Sequence, residues 1–178
     1  MKNKKGKNQN LKLGFTLLEL LVVVLIIGIL AAIVLPQYKY AVAKAKFVQL
    51  KTAIKTIKEA ETRYMLGNGD KTLDLSKLDV EIQGGKYENT GFGANTNIIF
   101  DWGNCQIAGE PGSYLLACVL DKPHITYYRK FNLEQKICCA YADSGEIGKR
   151  LCQTEIPNAT GQVLNNWCGT NGTRYVGY

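Results

Sequence analysis

A single carboxylate inside a long apolar run is the first candidate for chemistry. Residues 15–35 number 21, and Glu19 is the only ionisable side chain among them. At about 1.5 Å per residue such a run spans roughly 31 Å, the thickness of a bilayer's hydrocarbon core. A carboxylate at mid-bilayer costs about 2.5–3.5 kcal/mol, and less toward the interface. An anchor alone has no use for that cost, so the charge calls for a partner. Thiols form the second group. Cys105, Cys118, Cys138, Cys139, Cys152 and Cys168 all lie in the last 74 residues. An even number confined to one end of the chain suggests disulfides formed in an oxidising compartment. A zinc site fits less well, because there is no C-x-x-C pair and the single histidine, His124, is far from most of the cysteines.

Other reactive groupings are sparse. No Ser-His-Asp or Cys-His set is suggested by spacing, so nothing supports nucleophilic catalysis. Asp143 and Glu146 around Ser144-Gly145, and Asp79 with Glu81, read as solvated loops. No calcium-binding loop is recognisable. The expectation is a protein that is not an enzyme and has no cofactor or metal. Tyr127-Tyr128-Arg129-Lys130 mixes aromatic and basic residues as nucleic-acid binders do, but equally reads as a strand with alternating faces. The sequons at Asn158 and Asn171 read as accidental.

The net charge of +7 does not point to a nucleic-acid binder. Lys2, Lys4, Lys5, Lys7 and Lys12 supply five of the 22 basic residues in a segment without acids, leaving 17 basic against 15 acidic side chains in residues 15–178. A basic segment ahead of an apolar run places the amino terminus in the cytoplasm by the positive-inside rule. A secretory signal has the opposite order, its apolar region preceding the cleavage point.

Elements follow from periodicity. Beyond Pro36 the helical pattern becomes amphipathic: Ala43, Phe47, Leu50, Ile54, Ile57, Glu61 and Tyr64 share one face. Gly67-Asn68-Gly69-Asp70 stops the helix near Leu66. Pro36 predicts a kink or a local break inside one long helix over residues 15–66. Residues 71–97 form an ill-defined connector. Strands are predicted over 98–102, 113–120, 125–131 and 136–141, which are rich in β-branched and aromatic side chains. The turn signal Glu110-Pro111-Gly112-Ser113 lies midway between Cys105 and Cys118. Folding a hairpin there sets Cys105 opposite Cys118 and Ile107 opposite Leu116, and predicts a Cys105–Cys118 disulfide. Cys138 and Cys139 point to opposite faces of a strand, so one bonds Cys152 and the other Cys168, without a choice between them. These bridges staple a loop-rich tail with little apolar sequence of its own.

The junction Gly14-Phe15-Thr16-Leu17-Leu18-Glu19-Leu20, with Gly28 and Pro36 behind it, resembles the type IV pilins and the pseudopilins of type II secretion. The resemblance covers about residues 11–60. It implies an α+β pilin-like fold, a long amino-terminal helix packed on an antiparallel sheet with disulfide-stapled carboxy-terminal loops. It implies a leader over 1–14, a helix over 15–66 (15–35 membrane span or filament core, 36–66 amphipathic) and a globular region over 67–178. A prepilin peptidase would cut between Gly14 and Phe15 and methylate the new amine of Phe15. Glu19 would neutralise the amino terminus of a neighbouring subunit, while Gly28 and Pro36 let bundled helices soften or extend. The expected product is a pilus filament for adhesion, motility or DNA uptake. The alternatives are a secretion pseudopilin and a minor tip pilin that grips DNA or a surface. Implied partners are further copies of the chain, the peptidase, the assembly or secretion machinery and the inner membrane, before export to a surface pilus or periplasmic pseudopilus.

Overall fold

The computed structural model describes residues 15–90, 93–108, 114–130, 135–159, 161–163, 168 and 172–177. The chain divides into two compact units, with the boundary between Lys39 and Tyr40. One helix, α1 (Leu17–Asn68), begins in the first unit and ends in the second. It continues through Pro36 with no interruption, so the local break that the proline suggests is absent. What the proline removes is one backbone donor, a loss that a long helix absorbs.

In the first unit the large apolar side chains from Leu17 to Leu35 are all exposed, and none of the most apolar 18-residue stretch is buried. The helix is long and apolar enough to cross a membrane. A contiguous apolar surface of this size requires another apolar phase to cover it.

In the second unit α1 buries Ala43, Phe47, Leu50, Ile54, Ile57 and Glu61 as the three-four spacing predicts, adds Ala53 and Ala60, and leaves Tyr64 half-buried against the core. Leu50, Ile57 and Ala60 are fully enclosed. Each large apolar side chain so enclosed contributes about 1.5–3 kcal/mol. The helix ends two residues later than Leu66, at Asn68. Gly69 takes a left-handed φ of 81° and its N–H bonds to the Met65 carbonyl at 2.8 Å, while the Asn68 side chain donates to the Tyr64 carbonyl.

The sheet has eight antiparallel strands in the order β1-β2-β3-β4-β5-β6-β8-β7. The first six form a meander: β1 (Lys86–Thr90), β2 (Gly93–Phe100), β3 (Gly103–Ala108), β4 (Leu115–Leu120), β5 (Ile125–Lys130) and β6 (Lys136–Ala140). After β6 the chain forms α2 (Gly145–Glu155), then β7 (Gln162–Val163) and β8 (Thr173–Gly177). The β2–β3 turn needs glycine at 103, where φ is 154° and a Cβ would stand 1.9 Å from the Val119 carbonyl oxygen.

Several sequence expectations need correction. The connector is not irregular throughout: it holds a 3₁₀ turn at Leu75–Lys77, strand β1 and the start of β2. Trp102 lies outside β2, in the turn, and stacks on Phe100 at 4.4 Å. The strands expected over 113–120, 125–131 and 136–141 are each one or two residues shorter. The turn at residues 110–113 lies outside the described residues. Nor is the tail only loops: it forms α2 and β8, and places Leu151, Ile156 and Tyr175 in the main core.

Three disulfides fix this unit. Cys105 stands directly opposite Cys118, and Ile107 opposite Leu116, across β3 and β4. Cys138 bonds Cys152 on α2, and Cys139 bonds Cys168. The two neighbours serve opposite faces of β6. Cys138 belongs to the core shared with α1 and α2, whereas Cys139 joins Ile137 and Cys168 in a smaller cluster with Tyr128, Tyr141 and Val176.

Candidate functional site

Glu19 does not sit bare at the head of α1. Thr16 precedes the first helical residue, and three residues later comes Glu19, the spacing of a capping box. The Glu19 N–H donates to Thr16 Oγ1 at 3.2 Å. In return Glu19 Oε2 accepts the Thr16 N–H and the Thr16 hydroxyl, each at 2.8 Å. The box satisfies two amide donors that a helix start leaves unpaired. A carboxylate in the first turn also complements the positive end of the helix dipole. The charge thus has a partner inside its own chain. Reading Glu19 only toward a neighbour missed this, although Thr16-Leu17-Leu18-Glu19 carries the signal in the sequence.

Both donors fall on Oε2, leaving Oε1 for a further acceptor role. Phe15, next to Thr16, is 78% exposed, so the chain just ahead of the box is accessible. Gly14 lies outside the described residues. Gly28 has no heavy atom within 4 Å of where a Cβ would stand, and neither it nor Pro36 is part of the box. Among the predicted site residues the structure thus brings Glu19 to the helix head beside Phe15, and the six cysteines to three bonds elsewhere.

A second carboxylate is buried where none was expected to matter. Glu61 is fully enclosed between α1 and the segment after it, accepting the Thr72 N–H on Oε2 at 3.4 Å, and its Oε1 has no hydrogen-bond partner. Burial pushes its pKa up to about 7, against the Thr72 amide and Lys71, which lower it, and with Asp70, which raises it. Its position on the apolar face was legible, but not its enclosure, which depends on the connector folding back.

The remaining polar candidates separate. His124 Nδ1 meets Asp143 at 3.2 Å and the ring stacks on Tyr141 at 3.8 Å. Ser144, beside this pair, donates a hydrogen bond from its hydroxyl to the Tyr141 carbonyl. Glu146 stands in the first turn of α2 rather than in a loop, and Asp79 is held by a two-pronged bond from Arg63. Tyr127 is core, packed edge-on against Phe47 at 6.0 Å. Asn158 is exposed, and Asn171 lies outside the described residues. Among the described residues no three His, Cys, Asp or Glu side chains gather as metal ligands would.

Comparison with known proteins adds an independent line. A family model described as a prokaryotic N-terminal methylation motif matches residues 10–35. The chain is 31% identical to the type IV major fimbrial protein FimA of Dichelobacter nodosus over 159 residues, 85% of this chain and 88% of that protein. It is 38% identical over 89 residues to the fimbrial protein EcpB of Eikenella corrodens, covering 49% of this chain and 56% of that relative. A fimbrial protein of Neisseria meningitidis serogroup B is 42% identical over 60 residues, 34% of this chain and 35% of that one. In these last two the match spans about half and a third of the relative's length. No solved structure matches the chain.

Proposed function

The chain belongs to the type IV pilin (fimbrial protein) family, and on that premise we propose that it is a structural subunit that polymerises into a pilus filament. The observation that carries the proposal is α1 itself: an apolar half left exposed among the described residues, headed by a carboxylate in a capping box. The leader lysines hold the amino end in the cytoplasm while this half crosses the inner membrane. A prepilin peptidase cuts between Gly14 and Phe15 and methylates the freed amine of Phe15. The helices then exchange lipid for one another, and the disulfide-bearing heads form the coat.

Glu19 has a divided task in this scheme. Oε2 remains with Thr16 and holds the first turn, while Oε1 accepts the charged amine of an adjacent subunit. At low effective dielectric an unpaired charge is costly, so the pair sets register more than it adds stability. The geometry supports this division, since both Thr16 donors use one oxygen.

The pseudopilin and tip-binder readings have less support. The relatives named above are fimbrial proteins, and Tyr127 and Tyr128 pack into the two apolar clusters instead of offering faces for bases. A non-enzymatic role is supported by the same relatives and by Ser144, whose hydroxyl is committed to a backbone carbonyl.

The test is a Glu19→Ala chain in a cell that makes the filament. Leader removal should proceed, while sheared surface filaments fall to a small fraction of the wild-type yield. Normal filaments from that variant would refute the division of labour assigned to Glu19.

A further inference from the structure

Two grooves flank α1 where it lies on the sheet, and they carry opposite charge. Lys51, Lys55 and Lys58 follow an i, i+4, i+7 spacing on one side of the buried stripe, and Gln49, Thr52 and Thr56 lie on the other. The first groove, about 350 Å³, runs between that lysine row and strands β5 and β6, which add Arg129 and Lys136. Glu59 is the one acid among the described residues that line it. The second, about 530 Å³, lies between the helix and the segment 81–84 with the β2–β3 turn. Its charged lining is Glu81 and Asp101, both exposed, with no lysine or arginine among the described residues.

Arg129 and Lys136 are direct partners across the β5–β6 ladder, and like charges so opposed destabilise a sheet. Glu155 takes Lys51 at 2.5 Å, and Glu59 stands 3.8 Å from Lys55, whose side chain is 77% exposed. Among the described residues that line the groove, five cations stand beside one acid, so its lining is complementary to an acidic surface.

We infer that the two grooves are the two halves of a head-to-tail contact between copies of this chain. The Glu81–Asp101 flank of one copy sets against the Lys55–Lys136 flank of the next. This rests on the pilin-subunit reading and names the surfaces through which heads recognise each other. The two flanks are different surfaces of one subunit, so the contact is heterologous and does not use itself up. Repeated without closing, it generates a helical filament. Opposite flanks attract while like flanks repel, so the charges fix which way round subunits join.

Charge exchange tests this in the full-length chain, in a cell whose wild-type form yields filaments. One variant carries Lys55→Glu with Lys136→Glu, and a second carries Glu81→Lys with Asp101→Lys. Each alone should lower sheared filament yield at least about tenfold, because both flanks then bear one sign. Expressed together, the two should recover filaments in which they alternate, since each then offers the flank that the other lacks. The quadruple variant, with both flanks reversed, should also assemble. Disulfide content and thermal unfolding of each variant report that the heads are folded. Wild-type yield from both double variants would overturn the contact while leaving the pilin reading intact. So would folded double variants that fail alone and gain nothing when mixed. If the basic-flank variant assembles normally but loses salt-sensitive binding of duplex DNA, the groove serves a polyanion and the contact is wrong. A wild-type chain absent from the filaments would sink both readings together.

Discussion

At the scale of single residues, two glutamates on one helix illustrate how environment assigns different tasks to the same side chain. Glu19 stands at the helix head, where its Oε2 accepts from Thr16 and its charge suits the dipole. Thr16→Val removes the hydroxyl from both bonds that it makes, and loss of such a cap costs about 1 kcal/mol. Filament yield should fall for valine and hold for Thr16→Ser, as measured by protein in sheared fractions. Glu61 is the opposite case, enclosed with one oxygen unpartnered. The folded carboxyl keeps its proton to about pH 7, whereas an unfolded one releases it near 4.5. The folded state therefore binds more protons between these values, so stability falls as pH rises through that window. Glu61→Gln should flatten this slope. Above pH 7 it should be the more stable form by roughly 3 kcal/mol, because holding the proton across each pH unit of that window is worth about 1.4 kcal/mol. Urea midpoints of the detergent-solubilised chain at pH 5 and pH 8 would show it. Equal losses for both chains across that range would contradict the assignment.

At the scale of elements, what was legible in the sequence is what depends on local pattern. The buried stripe of α1 follows from 3.6-residue periodicity, and the Cys105–Cys118 pairing from a turn signal halfway between the two. The alternation of strand faces predicted that Cys138 and Cys139 take different partners. Which partner each takes was not legible, because it depends on α2 lying on the same face of the sheet as α1. Helix α2 itself escaped notice because it has only 11 residues, with Gly145 and Gly148 in its first turns and few apolar positions. Strand β1 carries little β-branched sequence, and β1 and β8 form by pairing with β2 and β6. Tertiary context decided them. Two predictions belong here. Phe47→Ala, at the contact of α1 with Tyr127, should destabilise the head by about 3–5 kcal/mol, read from denaturant unfolding. Replacing Cys138 and Cys152 together with serine should lower stability by about 2–4 kcal/mol, because the unfolded chain regains the freedom that the bridge between β6 and α2 denies it. Proteolysis should then cut first within residues 145–155.

At the scale of the whole molecule, one unit leaves its apolar surface bare and the other encloses its own core. In the proposed scheme a chain so divided is completed first by lipid and then by its own kind. On the proposed route the amino terminus is remade in between, since five lysines ahead of residue 15 do not belong in an apolar bundle. The most direct measurement is therefore the mass and amino-terminal sequence of the protein recovered from surface filaments. The expected result is a chain that starts at N-methylated Phe15 and carries three disulfides. Filament subunits that retain the basic leader, or that begin at any other residue, would contradict it.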